Sequence, residues 1–168
     1  MLHRIFRLTD IKYIETITED LEYGQDIVIV RPTYLSICAA DQRYFFGKRK
    51  KAIMQKKLPL ALIHEAVGVV VQDKSGTLAR GTRVAMVPNI SPAEHTIVKD
   101  NYSRDSKFCS SSADGFMQDL VAVPGDRLIP WTGGNGGEMP SDGGYRIRSV
   151  EHRVHGSPLL RHTKLTAN

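Results

Sequence analysis

Cysteine is scarce in this chain. Two thiols in 168 residues, Cys38 and Cys109, allow one disulfide at most, and a chain long enough to bury its own core has no need of one. Both are read as reduced. Long apolar runs are missing too: none approaches the roughly 20 residues of a membrane span, and no basic-then-apolar leader opens the sequence. These absences predict a soluble, cytoplasmic protein with no membrane partner. Nucleic-acid signatures are also lacking. A net charge of +5 could suggest RNA or DNA, but the cations are spread along the chain and form no nucleic-acid motif. An anionic small molecule fits that charge equally well.

What is present centres on Leu62-Ile63-His64-Glu65-Ala66-Val67-Gly68-Val69-Val70-Val71, an apolar β-type run interrupted by an imidazole and a carboxylate side by side. Burying both among Val, Leu and Ile costs several kcal/mol unless each finds a partner, and a metal cation satisfies both. Upstream, Tyr34-Leu35-Ser36-Ile37-Cys38-Ala39-Ala40-Asp41 ends a second apolar run in a thiol, with an acid three residues on. Thiolate, imidazole and carboxylate are zinc ligands, and three protein ligands with one open position characterise a catalytic zinc. The plainer alternatives are an inert buried cysteine and a hydrogen-bonded His-Glu pair at a strand end. Adjacent strand residues also point to opposite faces. His64 and Glu65 can therefore share one ion only if the chain turns there, or if one of them stands behind the other.

Around this stretch the sequence reads as a series of short strands. Ile5–Leu8 and Tyr13–Ile17 suit an antiparallel layer with one wet face. Ile27-Val28-Ile29-Val30 is a β-branched core strand before Pro32, and Tyr34–Cys38 continues it. Asp41–Gly47 suits one or two helical turns closed by glycine. Lys48, Arg49, Lys50, Lys51, Lys56 and Lys57 read as a solvated loop, or, together with Arg43, as cations that meet an incoming phosphate. Turns at Asp73–Gly76 and Gly81 flank further strands, and Gly68 suits a close approach of strands. Such punctuation predicts a mainly β fold with short helices, a partly open β-barrel and not a βαβ sheet.

The segments Cys38-Ala39-Ala40-Asp41, His64–Val70, Gly81-Thr82-Arg83-Val84 and Gly115-Phe116-Met117-Gln118-Asp119, in that order, resemble the zinc-containing medium-chain alcohol and polyol dehydrogenases. The likeness spans residues 1 to 130, the GroES-like catalytic domain of that family. Within it, the wording is most similar to the ribulose-5-phosphate reductases. The resemblance implies a zinc ion held by Cys38, His64 and Glu65 or a later acid, with Asp41 accepting the imidazole N–H of His64. It further implies NADPH, or NADH, bound by another domain, and a small sugar phosphate or polyol as substrate. The implied reaction reduces ribulose 5-phosphate to ribitol 5-phosphate for CDP-ribitol and teichoic acid synthesis, in a homo-oligomer.

Two departures stand out. Many relatives carry Ser or Thr two residues after the cysteine to start a proton relay, where this chain has Ala40, leaving a zinc-bound water, Glu65 or Tyr44 as substitutes. Four closely spaced cysteines for a structural zinc are also missing between Asn89 and Ala113. Only Cys109 stands there, and His95, Asp105 and Cys109 match no zinc spacing. The likeness stops near Pro130. Residues 131–168, with Gly133-Gly134-Asn135-Gly136-Gly137 and Gly143-Gly144, read as a glycine-rich, disordered or out-of-frame tail in which His152, His155 and His162 are solvated. The glycine run is not a dinucleotide fingerprint, since no strand and helix frame it. The expectation is therefore a fragment lacking the Rossmann domain, arising from a frameshift or truncation, with weak or no turnover by itself. Two alternatives remain, a non-catalytic GroES-like barrel module and a zinc-free quinone reductase relative, and the Cys38, His64, Glu65 set argues against both.

Overall fold

In a computed structural model, the described residues are 1–21, 23–90 and 105–131, together with the backbone of two later strands. The chain divides into two units, Met1–Trp131 and Thr132–Asn168. The first contains strands β1 (Leu2–Asp10), β2 (Tyr13–Asp20), β3 (Ile27–Ser36), β4 (Leu60–Ala61), β5 (Glu65–Asp73), β6 (Arg83–Met86), β7 (Asn89–Ile90), β8 (Lys107–Phe108), β9 (Val121–Pro124) and β10 (Leu128–Pro130). Its helices are α1 (Ala39–Phe45) and α2 (Lys51–Lys57), with a 3₁₀ turn at Gly125–Arg127. In the second unit β11 (Val150–Val154) pairs antiparallel with β12 (Arg161–Leu165). The glycine-rich run, His95 and His155 lie outside the described residues.

Five strands in the order β10-β6-β5-β3-β9 form the main sheet, which curls into a half-barrel. A second sheet, β2-β1-β4, and a small β7-β8 pair accompany it. This is the mainly β, GroES-like barrel expected from the sequence. The core lies where apolar runs face one another: Val28 and Val30 of β3, Val70 of β5, Val84 and Met86 of β6, Val121 and Val123 of β9, closed by Phe116 at 1% exposure. Burying side chains of this size contributes about 1.5–3 kcal/mol each before entropy is counted.

Pro32 is tolerated inside β3 for a local reason. β9 pairs with Ile27–Val30 and stops short of Pro32, and proline inside a sheet is confined to edges and irregular positions. A register shift between Pro32 and Tyr34 marks the same spot. The long apolar run also breaks: β4 joins β1, β5 joins β3 and β6, and between them Ile63 takes φ 71°. A β-branched residue in this left-handed region is uncommon, and it turns the chain immediately before His64. The basic stretch is not all loop, because Lys51–Lys57 forms α2 with Met54 buried. Helix propensity of Lys, Ala, Met and Gln outweighs charge repulsion there.

Gly68 sits where β5 crosses close to β3. An added Cβ would lie 2.5 Å from Arg31 O and 2.7 Å from Val30 Cγ1. Both belong to a strand pinned in the sheet, so Gly68→Ala is expected to cost about 1–3 kcal/mol. Urea unfolding would read this as a lower midpoint, and an unchanged midpoint would contradict the close crossing.

Candidate metal and substrate site

Cys38 comes two residues after β3 and forms the N-cap of α1, with φ −90° and ψ 172°. Its Sγ accepts from Ala40 N at 3.2 Å, while Asp41 Oδ2 accepts from Cys38 N at 3.0 Å. Each partner satisfies a backbone donor of the other's segment, as in a capping box. The sulfur is thereby held at a helix start, and Gly47, at φ +65°, closes the other end.

Asp41 is 2% exposed, and its oxygens carry three bonds. Oδ1 accepts from Ile63 N at 2.9 Å and from Ser110 Oγ at 3.0 Å, and Oδ2 accepts from Cys38 N. The carboxylate therefore ties together three segments remote in sequence: the end of β3, the β4–β5 turn and the turn after β8. Hydrogen bonds to a charged acceptor contribute about 1.5–3 kcal/mol each, which offsets the cost of burying the charge. The imidazole of His64 is not among its hydrogen-bond partners. An Asp41 oxygen nonetheless lies in one group with a His64 ring nitrogen, within 4.8 Å of it.

The β4–β5 turn is fixed from the far side as well. Gly115 N, Phe116 N and Met117 N donate to the carbonyls of Ala61, Ile63 and Leu62. The two strips run so close that a Cβ on Gly115 would overlap the Leu62 and Ile63 carbonyls. Ala61 N donates to Asp114 Oδ1, and Asp114 Oδ2 is paired with Arg7. His64 emerges from this clamp with its side chain 19% exposed. Its Nε2 lies 4.0 Å from Cys38 Sγ, and its ring packs on Phe108 at 5.2 Å between centroids.

Cys38, Asp41 and His64 offer ligand atoms that all lie within 4.8 Å of one another. Glu65 is not in that group. It is the first residue of β5, paired with Ser36, and its side chain is 53% exposed with Oε1 3.9 Å from His64 Nε2. Strand alternation carries it away from His64, yet the preceding turn keeps it beside the imidazole. Tyr44, a relay candidate, is buried at 6% beneath the Arg49 guanidinium. Among the lysines, Lys57 donates to Ser111 O at 2.6 Å and Lys48 lies over the Phe46 ring. Sequence reasoning missed Phe108 and Ser110. Both sit in a polar stretch without periodicity and touch the site only through contacts many residues away.

The chain matches the alcohol dehydrogenase GroES-like domain over residues 24–133, and it belongs to that family. It is 50% identical over 129 residues to the ribulose-5-phosphate reductase of Bacillus spizizenii, covering 77% of this chain and 38% of that protein. It is 45% identical over 130 residues to ribulose-5-phosphate reductase 2 of Staphylococcus aureus, with the same coverage of 77% and 38%. Among solved structures it is similar to S. aureus TarJ in complex with NADPH, with TM-score 0.61, 36% identity, and 80% of this chain and 35% of that one covered. L-idonate 5-dehydrogenase of Escherichia coli shares the fold, at TM-score 0.67 and 22% identity over 78% of this chain and 40% of that one. The chain thus spans about two fifths of the length of the curated relatives it matches.

The two thiols differ in surroundings. Burial pushes both upward, and the Cys109 thiol, packed in the core, is raised from 9.0 to about 11. A raised folded value means the neutral thiol is favoured by the fold. Its contribution is complete below pH 9.0 and is lost as pH rises toward 11. Cys109→Ala is therefore expected to flatten the fall in stability across that window by about 2–3 kcal/mol. Unfolding midpoints measured at both ends would test it, and parallel pH profiles for variant and parent would contradict it.

Proposed function

We propose that the full-length enzyme carrying this domain is a zinc-dependent oxidoreductase of the cytoplasm. Its reaction would be reduction of ribulose 5-phosphate to ribitol 5-phosphate with NADPH, serving CDP-ribitol and teichoic acid synthesis. This chain supplies the metal and substrate half. The observation that carries the reading is the meeting of Cys38 Sγ and His64 Nε2 at 4.0 Å. It occurs in a chain half identical over 129 residues to a protein named ribulose-5-phosphate reductase.

The donor set suits zinc. Thiolate and imidazole on one tetrahedral zinc stand roughly 3.6 Å apart, and imidazole and carboxylate roughly 3.3 Å. The Cys38–His64 separation, 4.0 Å, is close to the first of these spacings; Glu65 stands 3.9 Å from His64 and outside the group of Cys38, Asp41 and His64 whose ligand atoms all lie within 4.8 Å. Cys38 and His64 would hold the ion, with Glu65 as the exchangeable third donor. Asp41, engaged by three donors, would fix the backbone that presents them. When bound, zinc supplies Lewis acidity toward the substrate carbonyl, and NADPH supplies the hydride.

The chain's own residues do the rest. Phe108 restrains the imidazole and shields one side of it from water. Ala40 has no hydroxyl to pass on a proton, and Tyr44 is covered. Glu65, half exposed beside His64, is the acid with access to both solvent and the site.

The full-length enzyme is expected to retain stoichiometric zinc and to oxidise NADPH when ribulose 5-phosphate is added. Cys38→Ser is expected to lose both. Full zinc content in the variant, measured by metal analysis, would contradict the site. Turnover with other keto-sugars but not with ribulose 5-phosphate would contradict the substrate.

A further inference from the structure

The turn that follows β8 contains a residue the zinc-ligand reading leaves without a role. Ser110 is 5% exposed and takes φ 65°. A non-glycine residue in the left-handed region carries a backbone cost, and here the strained backbone aims one hydroxyl at one acceptor, Asp41 Oδ1, 3.0 Å away. The same oxygen accepts from Ile63 N, beside His64, and the other oxygen accepts from Cys38 N. The turn itself is anchored on several sides. Cys109 N donates to Pro88 O, Phe108 N donates to Ser112 Oγ, and Lys57 Nζ donates to Ser111 O. The hydroxyl is therefore delivered from a fixed frame.

We propose that Ser110 is a positioning residue of the metal site: its hydroxyl fixes the buried Asp41 carboxylate, which in turn fixes the backbone on both sides that sets the Cys38 sulfur against the His64 nitrogen. This rests on the zinc reading above and adds a residue to it. A carboxylate free to rotate would still accept from two backbone donors but would not hold both at the present spacing. Removing the hydroxyl loosens the pair without touching either ligand.

The test uses the whole 168-residue chain, with Zn²⁺ competed against a chelating dye and Co²⁺ as a spectroscopic probe. Ser110→Ala removes the hydroxyl and keeps the backbone strain, whereas Ser110→Gly removes the hydroxyl and relieves the strain. Both are expected to bind Zn²⁺ about 10- to 100-fold more weakly, and both are expected to shift or weaken the thiolate-to-cobalt absorption. The metal-free melting transition of Ser110→Gly is expected to stay close to that of the parent, because relief of the backbone strain offsets the lost hydrogen bond. Parent-like affinity in either variant would overturn the proposal. Loss of the metal-free melting transition in both variants would also overturn it, by making Ser110 a folding residue. Failure of the unmodified chain to bind Zn²⁺ at all would instead sink the zinc reading beneath it.

Discussion

One buried carboxylate holds the site together. Asp41 receives the backbone N–H of Cys38, the backbone N–H of Ile63 and the hydroxyl of Ser110; the first two lie just beyond the Ser36–Glu65 end of the β3–β5 ladder, and the third comes from 69 positions along the chain. Without that shared acceptor, the end of β3 and the turn before β5 would each leave a donor unpaired in a poorly hydrated place, at a cost of about 1–3 kcal/mol apiece. The satisfied arrangement brings sulfur and imidazole to within 4.0 Å. Geometry useful for chemistry is here a by-product of pairing buried polar groups.

The second constraint is the turn at Ile63. A continuous strand from Leu60 to Asp73 would point His64 and Glu65 to opposite faces. Splitting it into β4 and β5, which belong to different sheets, places the imidazole at the seam and leaves Glu65 at its rim. The positive φ at Ile63 is offset by the bonds from Gly115, Phe116 and Met117 to the carbonyls of Ala61, Ile63 and Leu62. Gly115 is required there because the two backbones touch.

Much of this was legible in the sequence, and the reasons differ from one element to the next. β-branched runs bounded by Gly and Pro marked β3 and β5. The glycine after an aromatic turn marked the end of α1, and a thiol and an imidazole at the ends of apolar runs marked the two groups that do converge. Helix α2 was hidden because a cluster of lysines reads as solvated loop until one buried Met54 gives it a face to pack. The partners of Asp41 were hidden for another reason. Ser110 lies 69 positions away, and a single long-range hydrogen bond leaves no periodic trace. Glu65 follows His64 in sequence, but its register with Ser36 decides how far its carboxylate stands from the trio.

The central claim is that one sulfur from Cys38 and one nitrogen from His64 bind the same ion. X-ray absorption at the zinc edge of the zinc-loaded chain tests this most directly. The account predicts one Zn–S distance near about 2.3 Å together with Zn–N or Zn–O distances near about 2.0–2.2 Å, with the sulfur contribution lost in Cys38→Ser. A zinc shell made of nitrogen and oxygen alone in the unmodified chain would contradict it.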